Sequence, residues 1–118
     1  MTVRITVTDG TAPGAQISDQ IRGFIATGAL GANDRLPSVR QLASDLHVAP
    51  GTVAKAYRAL EAEGLLVTRI GAGTRVNPES ASATAEVVAA ARALAAHATG
   101  SGLSLDEATS VLGAVWPE

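Results

Sequence analysis

The pattern of residues 36–76 restricts the fold more than any other part of this chain. Ser38 is a favourable N-cap, and Gln41 three residues later completes the sequence pattern of a capping box. A first helix is therefore predicted to begin after Ser38 and to end at a turn formed by residues 47–49. Its apolar residues follow the i, i+3, i+4, i+7 spacing of a single helix face. They are Val39, Leu42, Ala43 and Leu46.

A second helix is predicted to begin at Pro50, because the first helical position needs no backbone N–H. Gly64 is predicted to lie just beyond its C-terminal cap. The same apolar spacing recurs along this helix. It is carried by Val53, Ala56, Tyr57 and Leu60, whereas the other face carries Thr52, Lys55 and Arg58.

Residues 65–70 are rich in branched side chains and predict a strand, and residues 74–76 predict a short return strand. Gly71-Ala72-Gly73 between them is typical of a tight turn. Helix, turn, helix and hairpin in this order predict a winged helix-turn-helix. In such a unit the second helix enters the major groove of DNA, and the hairpin, or wing, lies against the neighbouring backbone.

The same stretch resembles the DNA-binding domain of GntR-family bacterial transcription regulators. Four segments follow that family's signature in order and spacing. They are Leu36-Pro37-Ser38-x-Arg40-x-Leu42-Ala43, Val48-x-x-x-Thr52-Val53, Tyr57-x-x-Leu60-Glu61-x-Glu63-Gly64 and Gly71-x-Gly73-Thr74-x-Val76. Residues 48–57 are most similar to the YtrA subfamily. Ala49 stands where members often have Asn or Ser, and Pro50 stands where many have Arg, so a base contact at position 50 is not transferred.

The resemblance implies that Arg40 contacts DNA. From its place on the first turn of the second helix, Thr52 is predicted to reach a phosphate or a base edge. The backbone N–H groups of Gly51 and Thr52 lie at the N-terminus of that helix and are predicted to bind phosphate. Thr52 as a simple helix cap remains an alternative, and Tyr57 is first of all a core residue. Arg69 and Arg75, which flank the wing tip, are predicted to hold phosphates. The complete set of predicted DNA-binding residues is Ser38, Arg40, Gly51, Thr52, Lys55, Tyr57, Arg58, Arg69, Gly71, Gly73 and Arg75.

The charge of the chain is unevenly distributed. The formal net charge is −2. Residues 1–78 carry eight basic and six acidic side chains, and residues 79–118 carry one basic and five acidic. The positive part therefore coincides with the winged helix-turn-helix, as expected of a nucleic-acid-binding surface.

The segments before the motif are predicted to support it. Residues 3–7 alternate apolar and polar side chains and predict a short strand. Residues 15–27 carry an apolar helical stripe and predict the first helix of a three-helix core. Residues 77–80 close the wing and begin a linker. The expected domains are 1–78, the winged helix-turn-helix, and 79–118, a two-helix dimerisation region.

Two amphipathic helices are predicted in residues 79–118, the first from near Ala83 and the second capped by Ser104 with Glu107. A helical pair of this size is marginal without a partner surface. That surface could be the winged domain, but a second copy in a C₂ dimer is favoured. The predicted dimerisation residues are Val87, Val88, Ala91, Leu94, Ala95, Leu105, Val111, Leu112, Val115 and Trp116. The predicted fold class is mainly α with a small β wing.

Several classes of function are not expected. The chain has no cysteine, and His47 and His97 are far apart in sequence, so neither a metal site nor a cofactor is predicted. No nucleophile–base pair is visible, so an enzyme is not expected. There is no signal-peptide pattern and no apolar run of about 18 residues, which favours a cytoplasmic protein without membrane segments.

The leading hypothesis is a homodimeric repressor that reads an inverted-repeat operator in double-stranded DNA. The alternative is a protein-interaction or assembly module, whose exposed helix face should be apolar. A small-molecule effector remains open, because the roughly 40 residues after the wing are few for an ordinary pocket. The operator sequence, the regulated genes and the sign of regulation do not follow from the sequence.

Overall fold

The computed structural model describes residues 4–80 and 83–117. It is mainly α with a small antiparallel hairpin, which confirms the predicted fold class. Contacts divide the chain into two compact units, Met1–Ser82 and Ala83–Glu118. The elements of the first unit are α1 (Pro13–Thr27), α2 (Val39–Leu46), α3 (Pro50–Ala62), β1 (Leu66–Arg69) and β2 (Gly73–Val76). Those of the second unit are α4 (Ala85–Gly100) and α5 (Leu105–Val115).

Helix α1 provides the scaffold against which the motif packs. It begins at Pro13, two residues earlier than the apolar stripe indicates, because a proline at the first position loses no helical hydrogen bond. Its buried side chains are Ile17, Ile21 and Ile25. Gly28 ends it in the left-handed conformation, with φ of 80°. These isoleucines belong to the same core as the apolar residues of α2 and α3.

The strand predicted for residues 3–7 is not formed by residues 4–7, and Val3 lies outside the described residues. The backbone of this segment bonds instead to glutamine side chains of α1. Thr6 N–H donates to Gln20 Oε1 at 2.9 Å, and Gln20 Nε2 donates back to Thr6 C=O at 2.6 Å. Gln16 bonds Thr8 in the same two-way manner. The alternation of apolar and polar residues still predicts burial correctly at Ile5, which lies in the core.

Helices α2 and α3 form the predicted helix-turn-helix. Ser38 Oγ accepts the Gln41 N–H at 3.1 Å, but the Gln41 side chain donates to Asp45 at 2.8 Å, so the expected capping box is only half formed. His47 ends α2 with φ of 57°. Pro50 opens α3 as predicted, and the preceding Ala49 gives no side-chain cap.

The wing is a hairpin in which Leu66 pairs with Val76 and Arg69 with Gly73. The loop before α2 adds to its edge through an antiparallel bridge between Arg35 and Arg75. Leu66 and Val76 are buried, whereas the hairpin tip is exposed. The base of the wing is therefore fixed to the core, and its tip projects from it.

The second unit consists of two capped helices. Thr84 Oγ1 accepts the Val87 N–H at the start of α4, about two residues later than the sequence indicates. Ser104 and Glu107 form both bonds of the predicted capping box at the start of α5. Ala98 and Ala108 are its buried side chains among residues 83–117. Most of the larger apolar side chains remain exposed.

Candidate nucleic-acid interface

The exposed surface of α3 is opposite its buried stripe. Val53, Ala56, Tyr57 and Leu60 enter the core. A helix turns about 100° per residue, so the outward direction belongs to Gly51, Lys55 and Arg58. These three residues are all exposed. The side of α3 that faces solvent therefore presents two cations and a glycine, and no large apolar side chain.

Thr52 lies on the flank of α3 rather than at its centre. It is half-buried, and a Cβ added at Gly14 of α1 would lie 3.7 Å from the Thr52 methyl group. Its backbone N–H donates to Ala49 C=O at 3.0 Å. The Gly51 N–H makes no such bond within the described part of the chain. Of the two N–H groups that the sequence suggested for phosphate, Gly51 is the one left available.

Arg40 and Ser38 are both exposed, and they lie at the start of α2. The Ser38 oxygen accepts the Gln41 N–H, which leaves its hydroxyl hydrogen free to donate. Arg40 makes no side-chain hydrogen bond to the described residues. Both groups can therefore bind an acceptor such as a phosphate oxygen.

Tyr57 is placed in the core and not on the solvent-facing side of α3. Its relative exposure is 3%, and its hydroxyl donates to Pro37 C=O at 2.8 Å. Burial raises the pKa of the Tyr57 phenol, so the hydroxyl remains a neutral donor. Tyr57 fixes α3 to the segment that leads into α2, and its role in this structure is positional.

The wing tip carries the two glycines and two arginines that the sequence singled out. Gly71 and Gly73 have φ of 82° and 73°, which favours glycine at both positions. Arg69 is exposed, whereas Arg75 is half-buried. The Arg75 guanidinium donates to Ala72 C=O at 3.2 Å and to Asn33 C=O at 3.1 Å. Arg75 therefore braces the wing, and Arg69 is the freer of the two cations.

Arg35 is a further candidate, which no sequence motif indicates. A Cβ added at Gly73 would lie 3.1 Å from Arg35 Nε and 3.2 Å from its Nη2. The Arg35–Arg75 bridge places these two residues side by side on the sheet. Because this position depends on pairing between segments distant in sequence, no local pattern indicates it. Arg35 adds a third guanidinium to the wing.

The cations of this surface have no acidic partner among the residues that the structure describes. Across residues 4–80 and 83–117, the ion pairs are those of Arg22 with Asp19 and with Glu63, both at 2.7 Å. The Glu63 pair joins α1 to the end of α3, and its hydrogen bond lowers the pKa of the Glu63 carboxyl. The exposed cations at positions 35, 40, 55, 58 and 69 are thus available to an anionic partner.

Other kinds of site find little support in the described residues. Their His, Asp and Glu side chains form no group of three that could hold a metal ion. None of the helices described combines the length and the hydropathy needed to span a membrane.

The predicted dimerisation residues are largely solvent-exposed in the single chain. Leu105 and Val115 have relative exposures of 82% and 72%, and Trp116 is also exposed. Val88 and Leu94 are half-buried. The remaining members, all exposed, are Val87, Ala91, Ala95, Val111 and Leu112.

The model of the family "Bacterial regulatory proteins, gntR family" matches residues 13–76, from the start of α1 to the end of β2. The chain belongs to the GntR family. The match covers the whole helix-turn-helix and its wing, so the family predicted from the four sequence segments is confirmed.

Relatives within the family are named as transcription regulators. The HTH-type transcriptional regulator Rv1152 of Mycobacterium tuberculosis is 41% identical over 78% of this chain and 81% of its own length. The HTH-type transcriptional repressor YtrA of Bacillus subtilis is 42% identical over 52% of this chain. The pyridoxine biosynthesis regulator PdxR of Corynebacterium glutamicum is 45% identical over 54% of it. The chain spans only 48% of that YtrA and 14% of PdxR.

Solved structures agree with this assignment. YtrA from Sulfolobus acidocaldarius, a GntR-family transcription factor, superposes with a TM-score of 0.57 and 34% identity over 96% of this chain and 95% of its own. This chain is therefore YtrA-like, as residues 48–57 of its sequence indicated. AraR(DBD) in complex with operator ORX1 superposes with a TM-score of 0.55 and 27% identity, covering 60% of this chain and 93% of that one. The matched residues form the DNA-binding unit of a GntR-family transcription regulator, and none of these relatives is named as an enzyme.

Proposed function

We propose that this protein is a homodimeric repressor that binds an inverted-repeat operator through its winged helix-turn-helix. The observation that carries this proposal is the set of exposed cations on α2, α3 and the wing without acidic partners in the described chain. A surface of this kind is costly to cover with an apolar protein partner but suits a phosphate backbone. The alternative, an interaction module, needs an apolar α3 face, and that face carries Lys55 and Arg58.

In this function α3 enters the major groove. Lys55 and Arg58 lie one turn apart on its exposed side and contact phosphates at the groove edge. The free Gly51 N–H at the start of α3 donates to a third phosphate oxygen. Arg40 approaches the DNA from α2, and Ser38 adds a hydroxyl donor. Thr52 contacts the backbone from the flank, and the wing lies along the adjacent minor groove with Gly71 and Gly73 at its tip.

The exposed apolar residues of α4 and α5 support dimerisation. Several branched side chains and Trp116 lie in water in the single chain, which is unfavourable by about 25 cal/mol per Å² of apolar surface. A second copy offers the same residues, so an isologous C₂ interface covers both faces at once. Two winged units held in this way read two half-sites about one helical turn apart.

Repression and effector control are the least direct parts of the proposal. Repression is supported by the name of the Bacillus subtilis relative, a transcriptional repressor. A small-molecule effector stays a prediction, and its place would be the α4–α5 unit or the dimer interface. Isothermal titration of candidate metabolites against the purified dimer tests it, and the absence of heat for all of them leaves regulation by protein abundance.

The DNA-binding surface is tested by a salt series of fluorescence anisotropy titrations on fragments of the protein's own promoter region, beside a scrambled competitor. Arg40→Ala is expected to weaken specific binding about tenfold or more. Arg92→Ala serves as the matched control, because Arg92 is also an exposed arginine but lies on α4, outside the proposed DNA-binding surface. Equal loss in both variants, or no binding of the wild type to a full genomic pool at low salt, contradicts the proposal.

A further inference from the structure

Ile70 occupies the apex of the wing, between β1 and β2. The Ala72 N–H donates to Arg69 C=O at 3.0 Å and closes a four-residue turn with Ile70 in second place. Gly71 in third place has φ of 82°, the positive value that a type II turn requires there. Arg75 holds the same turn by donating to Ala72 C=O. The Ile70 side chain is therefore presented from an ordered turn at the end of a braced hairpin.

This position is unfavourable for isoleucine within the chain itself. The relative exposure of Ile70 is 107%, so it contacts nothing in the fold. Among residues 4–80, no other large apolar side chain is exposed. β-Branched residues fit a pleated, half-buried surface and have no advantage in an open turn. Exposed Arg69 precedes Ile70, and Arg35 lies beside Gly73, so the surroundings of this apolar tip are basic. An apolar tip among cations suits the floor and walls of a DNA groove better than an apolar protein surface.

We infer that Ile70 enters the minor groove beside each half-site and selects against G·C pairs there. This inference rests on the proposed DNA-binding function and adds a specificity to it. Every base pair presents acceptors at the minor-groove floor, but only G·C adds the guanine N2 amine, a donor that projects into the groove. Isoleucine has no acceptor for that amine, so contact removes its water without replacing the hydrogen bond.

Inosine separates this explanation from a general preference for A·T, because an I·C pair lacks the N2 amine but keeps the major-groove pattern of G·C. A binding duplex is first selected from a randomised library with the full chain. Each flanking pair is then changed to A·T, G·C or I·C, and affinity is measured by anisotropy. At one flanking position per half-site, we expect G·C to weaken binding about tenfold, with I·C close to A·T.

Three variants test the assignment to Ile70. The G·C penalty is the loss of affinity when a flanking A·T pair is changed to G·C. This penalty shrinks in Ile70→Ala. It disappears in Ile70→Asn, because the amide oxygen of asparagine can accept a hydrogen bond from the guanine amine. Arg69→Ala is the control, since it weakens binding to all three duplexes alike and lowers the salt dependence. The Ile70 variants keep the wild-type melting temperature, because the side chain makes no internal contact.

Two results overturn the inference while leaving the proposed function intact. One is equal binding of the wild type to G·C and I·C at every flanking position. The other is an undiminished G·C penalty in Ile70→Ala. If the wild-type chain selects no duplex from the library, the proposed DNA-binding function fails and this inference fails with it.

Discussion

The Tyr57 hydroxyl donates a hydrogen bond of 2.8 Å to the backbone carbonyl of Pro37, and this bond joins α3 to the segment that leads into α2. The carbonyl lies at the start of the helix-turn-helix, and the tyrosine is fully enclosed by the core. The relative position of the two DNA-facing helices therefore depends on a side chain that is itself hidden from DNA.

Tyr57→Phe is expected to lower the free energy of unfolding by about 1–2 kcal/mol, because it removes the bond and leaves a carbonyl without its partner. Denaturant unfolding at neutral pH measures this loss. Operator affinity under conditions where the variant is folded should stay within about twofold of wild type, because phenylalanine keeps the ring packed in the core and only one neutral hydrogen bond is lost. A drop in affinity as large as that of Arg40→Ala would instead indicate a direct DNA contact by the hydroxyl.

The same burial predicts a loss of stability at alkaline pH. The pKa of Tyr57 is raised in the folded state, whereas an exposed tyrosine ionises near pH 10. The contribution of the neutral phenol is therefore fully present below about pH 10 and is lost as the pH rises through the folded-state pKa. Tyr57 is the one tyrosine of the chain, so tyrosinate absorbance reports this group alone. Above pH 10, the free energy of unfolding of Tyr57→Phe should fall less steeply with pH than that of the wild type. The same pH dependence in both proteins would contradict the assignment.

The wing offers a matched pair of glycines. Gly71 and Gly73 share a positive φ, but space around Gly71 is open, whereas a Cβ at Gly73 meets the Arg35 guanidinium. Gly71→Ala should destabilise by about 1 kcal/mol through left-handed backbone strain alone. Gly73→Ala should cost the same strain plus the displacement of Arg35. Thermal unfolding measures both.

The Arg35→Ala background is the control for this pair. If Arg35 packs against Gly73 as the structure has it, the two alanine variants become equally destabilising once the guanidinium is removed. A difference that persists without Arg35 would point to another cause, such as the bond from Arg75 to Ala72.

Sequence periodicity predicted α2 and α3 because each of these helices buries one regular stripe of apolar residues. The wing was predicted by its branched residues and by the glycines of its turn. Sequence periodicity gave a wrong prediction where side chains, rather than the backbone of a neighbouring strand, provide the hydrogen-bond partners. Residues 4–7 have a strand-like alternation, but Gln20 of α1 bonds the Thr6 backbone that a neighbouring strand would otherwise bond, and Gln16 does the same for Thr8. The bracing role of Arg75 depends on Asn33, which is distant in sequence. Arg35 was not predicted as a site residue for the same reason. Ile70 was not predicted either, because a pattern of burial carries no information about a side chain at the apex of a turn.

The proposed dimer makes a prediction about the last helix. Val115→Glu places a charge on the exposed apolar side of α5 and should shift sedimentation from dimer to monomer, because a carboxylate buried in the interface loses its water. Ser110→Glu adds the same charge to an exposed polar position of α5 and should leave the dimer unchanged. Monomeric Val115→Glu should then bind a single half-site as well as wild type does but lose the advantage of the full inverted repeat. A wild-type chain that sediments as a monomer at micromolar concentration, or equal behaviour of the two variants, would remove α4 and α5 from the proposed interface.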